Sequence, residues 1–197
     1  MEITAAKVKE LREKTGIGMM KCKEALHECA GDFEKAIQYL RKKGLATAEK
    51  KSGRTTNEGR IASYIHANNK IGVLIEINCE TDFVAKGDDF AQLAKDICMQ
   101  VAASDPLTIS RDNVPQELVD KEKAIYADQV KGKPENIIEK ILQGKLDAYF
   151  KQVCLLEQPF IKDTSIAVDD LIKQIIAKTG ENITVARFTR YQLGEET

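Results

Sequence analysis

The hydrophobic pattern of this chain changes period once, near residue 60, and the change limits the folds open to it. Up to Gly44 the apolar residues recur at three- and four-residue spacing, whereas from Ile61 they alternate. Such a chain divides into a helical module and a core that combines strands with helices. Its length of 197 residues suits a small module and one core of ordinary size.

The first stretch reads as three short helices. Thr4 is placed to cap a helix carrying Val8 and Leu11, and Gly16 and Gly18 break it. Met19, Cys22, Leu26, Cys29 and Ala30 form the stripe of a second helix, which Gly31 stops. Asp32 caps a third, with Phe33, Ala36, Ile37 and Leu40 inward and Gly44 closing it. The expected domains are a three-helix module over 1–45, a frayed helix end and linker over 46–60, and a core over 61–197.

In the core, Ile61, Ser63 and Ile65 alternate with Ala62, Tyr64 and His66. The Asn68-Asn69 turn follows, and then Ile71, Val73, Ile75 and Ile77 on one face, which together read as an antiparallel hairpin. A helical stripe of Phe90, Leu93, Ala94, Ile97, Cys98 and Val101 ends before Asp105-Pro106. Between Val114 and Val153 two or three more helices are expected, with Pro115 and Pro134 in first turns and Gly132 and Gly144 as stops. Leu171, Ile172, Ile175 and Ile176 mark a last helix ending at Gly180, and Ile183 to Leu193 alternates as a third strand. The fold class is α+β: a three-helix module of ubiquitin-associated type, then a three-stranded antiparallel sheet with helices over one face.

Charge bears on partners. With 30 basic and 31 acidic residues the net charge is −1, which disfavours binding through general attraction to a phosphate backbone. A protein or small-molecule partner is expected rather than nucleic acid. No apolar run approaches the roughly 18 residues that span a bilayer, and the amino terminus does not resemble a targeting peptide, so a cytoplasmic location is expected. The cysteines Cys22, Cys29, Cys79, Cys98 and Cys154 lack the paired spacing of a zinc site and read as reduced, buried thiols. His27 and His66 have no ligand or triad partner at useful spacing. Neither a metal, a cofactor nor covalent catalysis is expected.

Three segments together resemble one family. They are Lys9-Glu10-Leu11-Arg12 with Thr15 through Leu26; Glu76-Ile77-Asn78-Cys79-Glu80-Thr81-Asp82-Phe83-Val84-Ala85; and Lys133-Pro134-Glu135 through Gly144-Lys145, followed by Gln158-Pro159-Phe160. In this order and at these separations they are similar to the elongation factor Ts family. The resemblance implies a guanine-nucleotide exchange factor that binds elongation factor Tu carrying GDP. Thr81, Asp82, Phe83 and Val84 would form the loop that disturbs the magnesium and phosphate site, and Arg12, Met19 and Met20 would dock on the nucleotide domain. Only about 140 residues follow the module, so the chain resembles the short form, for which the family implies paired cores and a two-to-two complex.

On the residues alone, other readings stand beside these. Thr81 or Asp82 caps a following helix, with Phe83 packed onto it as a staple. Met19 belongs to the core stripe of the second helix, and paired methionines commonly fill core gaps. The first 44 residues would also suit a ubiquitin-associated adaptor, whose binding surface would centre on the same methionines. An enzyme on the α+β core would need a phosphate loop, a metal cluster or a nucleophile with its base, and none is evident.

Overall fold

The helices of the module start and stop where local backbone chemistry dictates, with one exception. The computed structural model describes residues 3–130 and 134–195. Helix α1 (Ala5–Thr15) begins at Thr4, whose hydroxyl accepts from the Lys7 N–H, and ends at Gly16 with φ +68°. Helix α2 (Met19–Glu28) follows Gly18. Helix α3 (Phe33–Lys51) begins at Asp32, whose carboxylate accepts from the Lys35 N–H at 3.0 Å.

The expected stop at Gly44 does not occur, because α3 runs through it to Lys51. Glycine in a helix costs only about 1 kcal/mol, and here it admits a neighbour: a β-carbon on Gly44 would stand 2.8 Å from the Ala177 methyl carbon. Ala48, one turn on, is buried. Residues 46–51 of the expected linker are therefore helical, and 58–60 already belong to a strand. The module's interior is built from Val8, Leu11, Ile17, Cys22, Ala25, Leu26, Ala36 and Leu40, with Phe33 and Ile37 partly buried against it.

The strands β1 (Glu58–Ile65), β2 (Ile71–Cys79) and β5 (Ile183–Gln192) form a three-stranded antiparallel sheet in the order β1-β2-β5. The hairpin turns at Asn69, with φ +55°, and the Asn68 side chain accepts from the Lys70 N–H. Beyond it the His66 N–H bonds to the Ile71 carbonyl, and the Leu193 N–H bonds to that of Lys70. Val73, Ile75 and Ile77 are buried on one face. Side chains alternate across a strand, so Gly72 and Leu74 lie on the other. The Ile65 side chain meets Gly72 there.

A single turn, α4 (Asp82–Ala85), leads into α5 (Asp88–Ser104), whose expected stripe from Phe90 to Val101 is buried. The helices α6 (Gln116–Gln129) and α7 (Glu135–Val153) follow Pro115 and Pro134, each one residue before its helix. The expected stop at Gly144 is also wrong: it lies within α7, where nothing stands within 4 Å of its β position. Gly132 lies outside the described residues. A two-stranded hairpin, β3 (Pro159–Phe160) with β4 (Asp163–Ala167), has no counterpart in the sequence expectation. It is held by the buried Gln100, which donates to Gln158 and to the Pro159 carbonyl and accepts from the Ile161 N–H at 2.8 Å. Helix α8 (Val168–Thr179) ends at Gly180, as expected, with φ +81°.

The described residues group into two compact units: one drawn from 1–60, 76–93 and 170–186, the other from 61–75, 94–169 and 187–197. The module, the α4 turn and the α8–β5 connection thus share a unit.

Candidate functional site

Strand β2 delivers the chain to the α4 turn, and the turn is amphipathic at a scale of four residues. Thr81 has extended backbone, and its hydroxyl accepts from the Val84 N–H at a long 3.4 Å, the geometry of an N-cap. The Cys79 thiol bonds to the Thr81 carbonyl at 3.2 Å. Val84 and Ala85 then point inward and are buried. Asp82 and Phe83 point outward.

Phe83 is 83% exposed, so it does not pack as a staple. Burying a phenylalanine contributes roughly 1.5–3 kcal/mol, and this chain leaves that free energy unused while fixing the residue on an ordered turn. Its neighbour Asp82 forms an ion pair with Lys86 at 2.6 Å, one helical turn on. That bond to Lys86 holds the Asp82 carboxyl below the usual carboxylate range, so it is charged at neutral pH. The pair is exposed and adds little stability.

The second patch lies at the corner between α1 and α2. Met20 is 78% exposed, and Met19 is 48% exposed rather than part of the core stripe. The difference is one of position along the helix, not of phase: Cys22, Ala25 and Leu26 fill the inward face of α2, whereas Met19, on the same side, stands at its first residue. Arg12 is exposed on the last turn of α1, where its carbonyl accepts from the Gly16 N–H at 2.7 Å. The far end of the Lys178 side chain lies across Gly16, and its ammonium bonds to Asp89 at 2.5 Å.

Of the residues expected at the site, the structure sets Asp82 and Phe83 outward on one turn, with Thr81 as its cap and Val84 as its anchor. Arg12, Met19 and Met20 are exposed at the other corner of the same unit. Sequence reasoning missed Glu181, which receives both the Thr81 N–H and the Thr81 hydroxyl. Glu181 is 100 residues away along the chain and carries no local signal; only the stop at Gly180 marks its neighbourhood.

Among the described residues no group of three or more His, Cys, Asp or Glu side chains is placed to hold a metal ion. All five cysteines are free thiols, four of them buried. Burial pushes Cys98 up to about 11 and raises Cys79 and Cys154 as well, so these thiols are protonated and poor nucleophiles at neutral pH. His66 bonds to the Tyr64 hydroxyl at 3.0 Å. No described helix is long and apolar enough to cross a membrane.

What the unit displays is an aromatic side chain on a braced turn and two exposed methionines at the corner between α1 and α2. The chain belongs to the elongation factor Ts family, a family of translation elongation factors, and the family model matches residues 3–195. It is 60% identical to elongation factor Ts of Thermotoga petrophila over 195 residues, covering 99% of this chain and 98% of the relative. It is 59% identical to that of Thermodesulfovibrio yellowstonii, with the same coverage, and 57% identical to that of Carboxydothermus hydrogenoformans, covering 98% of this chain and 90% of the relative.

Proposed function

We propose that this chain is a guanine-nucleotide exchange factor in the cytoplasm: it binds elongation factor Tu carrying GDP and promotes GDP release so that GTP can bind. The observation that carries this reading is the nearly full exposure of Phe83 beside a charged Asp82, on a turn anchored by Val84 and Ala85. Phe83 enters an apolar slot of the GTPase and Asp82 perturbs the surroundings of its magnesium ion. Magnesium requires near-ideal octahedral oxygen coordination and bridges protein to phosphate, so a small displacement of its ligands weakens nucleotide binding. Arg12, Met19 and Met20 dock the module on the nucleotide domain, and the remainder of the chain carries exchange and pairing.

The energetics are within reach of an ordinary interface. Weakening GDP from nanomolar to micromolar affinity requires about 4 kcal/mol. By linkage the nucleotide weakens the factor equally, so an incoming nucleotide expels it. No covalent step is involved. The test is the release of fluorescent GDP from purified elongation factor Tu. Acceleration of at least tenfold by catalytic amounts of the chain is expected, and an unchanged rate would overturn the reading.

The outer face of the sheet favours a second element of the proposal, a homodimer that gives a two-to-two complex. Ile61, Ile65, Tyr191 and Leu193 are each more than half exposed, and Leu74 about half. Alternation from Gly72 and from the Leu193–Lys70 bond puts them on one face. A contiguous apolar face of this kind marks an interface, and a second copy covers it with the same residues.

A further inference from the structure

The α4 turn is held from behind by a reciprocal arrangement of two carboxylates. Glu181, in the connection between α8 and β5, accepts the Thr81 N–H on one oxygen at 3.0 Å and the Thr81 hydroxyl on the other at 2.7 Å. Glu80, in the connection between β2 and α4, accepts the Asn182 N–H at 2.7 Å. Each segment's carboxylate thus takes the backbone donor of the other. The buried Asn182 side chain donates to the Ser52 and Arg54 carbonyls at 3.3 and 2.9 Å, and the Arg54 guanidinium lies 3.4 Å from Glu80. The Lys51 ammonium bonds to the Gly180 carbonyl. The end of α3, the exit of β2 and the α8–β5 connection therefore meet at this one clasp.

This arrangement has a consequence for a turn that must present Phe83. The turn makes three backbone hydrogen bonds, from the Ala85, Lys86 and Gly87 N–H groups to the Thr81, Asp82 and Val84 carbonyls at 3.2, 3.0 and 3.0 Å, and a helix this short is marginal in water on its own. The cap itself is weak, since the Thr81 hydroxyl accepts from the Val84 N–H at 3.4 Å. Glu181 orients the Thr81 hydroxyl by accepting its hydrogen bond, which leaves the oxygen's lone pairs toward Val84, and it pins the backbone of the same residue. Hydrogen bonds to an ionised acceptor are about twice as strong as neutral ones.

We propose that Glu181 is a positioning residue: by its two-point hold on Thr81 it keeps the Thr81–Val84 turn in the single shape that presents Asp82 and Phe83 to the GTPase. This rests on the exchange reading above. A turn that samples many shapes lowers the fraction of bound complexes in which Phe83 is inserted. The module still docks, so the loss falls on the maximal rate of nucleotide release more than on the concentration of factor needed.

Glu181→Ala and Glu181→Gln, made in the full chain, test this with two readouts. In the free protein, amide hydrogen exchange at Thr81 and Val84 is expected to quicken at least tenfold in Glu181→Ala while amides of α2 and α5 keep their rates. In fluorescent GDP release from elongation factor Tu, the maximal rate is expected to fall about tenfold with the half-saturating concentration within about threefold. Glu181→Gln, with one acceptor oxygen, lies between Ala and the parent chain in both. Unchanged exchange at Thr81 and Val84 would overturn the proposal. So would a merely structural outcome, in which all amides quicken together, the half-saturating concentration rises with the unfolded fraction and the maximal rate is kept. If Phe83→Ala leaves GDP release untouched, the exchange reading fails instead, and the hydrogen-exchange readout still decides whether Glu181 positions the turn.

Discussion

Gly44 of α3 lies so near Ala177 of α8 that a β-carbon added to it would stand 2.8 Å from the alanine's own. The contact explains how a glycine sits in the middle of a 19-residue helix. An alanine there would gain about 1 kcal/mol of helix propensity and lose more to overpacking, since the atom it meets is a short, stiff methyl with nowhere to turn. Gly44→Ala is therefore expected to destabilise the chain by roughly 1–3 kcal/mol in denaturant unfolding. The double variant Gly44→Ala/Ala177→Gly, which exchanges the two positions, is expected to recover much of the loss. A stabilised Gly44→Ala chain would show that the helices separate freely there.

Helix starts were legible because each is decided by one or two residues: Thr4 and Asp32 act as caps, and Gly16 and Gly180 as stops, in agreement with the reading. The errors at Gly44 and Gly144 share a cause. A glycine ends a helix only if the chain then turns away, and that depends on what packs there: Ala177 in the first case, open space in the second. The β3–β4 hairpin was invisible because β3 has two residues and depends on Gln100, about 60 residues earlier. Within the site, Asp82 and Phe83 were singled out through resemblance, and the exposure of Phe83 sets the staple reading aside. Glu181 and Asn182 act through the Thr81 and Glu80 backbone environment, a relation that no local pattern carries.

Phe83→Ala separates contact from packing. The side chain is almost wholly solvent-exposed, so its removal is expected to change unfolding free energy by less than about 0.5 kcal/mol. Stimulated GDP release is expected to fall at least tenfold, the scale of a central hot-spot residue. A variant that lost several kcal/mol of stability while exchanging normally per folded molecule would make Phe83 a structural residue.

The clasp also gives a pH dependence. The Asn182 N–H, followed by the charges of Arg54 and Lys51, holds the Glu80 carboxyl below its ordinary value of 4.5. A carboxylate depressed in the folded state contributes stability above its unfolded pKa and loses it as pH falls through the folded one. The stability gap between the parent chain and Glu80→Gln is therefore expected to be full at neutral pH and to narrow as pH falls below 4.5. Denaturant unfolding at a series of pH values reads it directly. A gap that stayed constant into strong acid would mean that charge on Glu80 does not contribute to the clasp.

Assembly can be tested on the outer face of the sheet. Ile61 and Ile65 on β1, Leu74 on β2, Tyr191 on β5 and Leu193 just beyond it leave an apolar surface that water would otherwise have to cover. Near the hairpin end of the central strand the Ile65 side chain lies over Gly72, and a second copy is expected to cover the exposed apolar residues of the three strands. A two-fold pairing places each Leu74 near the other chain's face and needs no disulfide, in keeping with five free thiols of which four are buried. Light scattering in reducing buffer is expected to give about twice the chain mass of 22.0 kDa at micromolar concentration. Leu74→Glu, which sets like charges into the desolvated centre of the pairing, is expected to return the mass to that of one chain with little loss of secondary structure. A parent chain that scatters as 22.0 kDa under these conditions would remove the dimer, and a Leu74→Glu chain that keeps the doubled mass would move the interface away from the sheet.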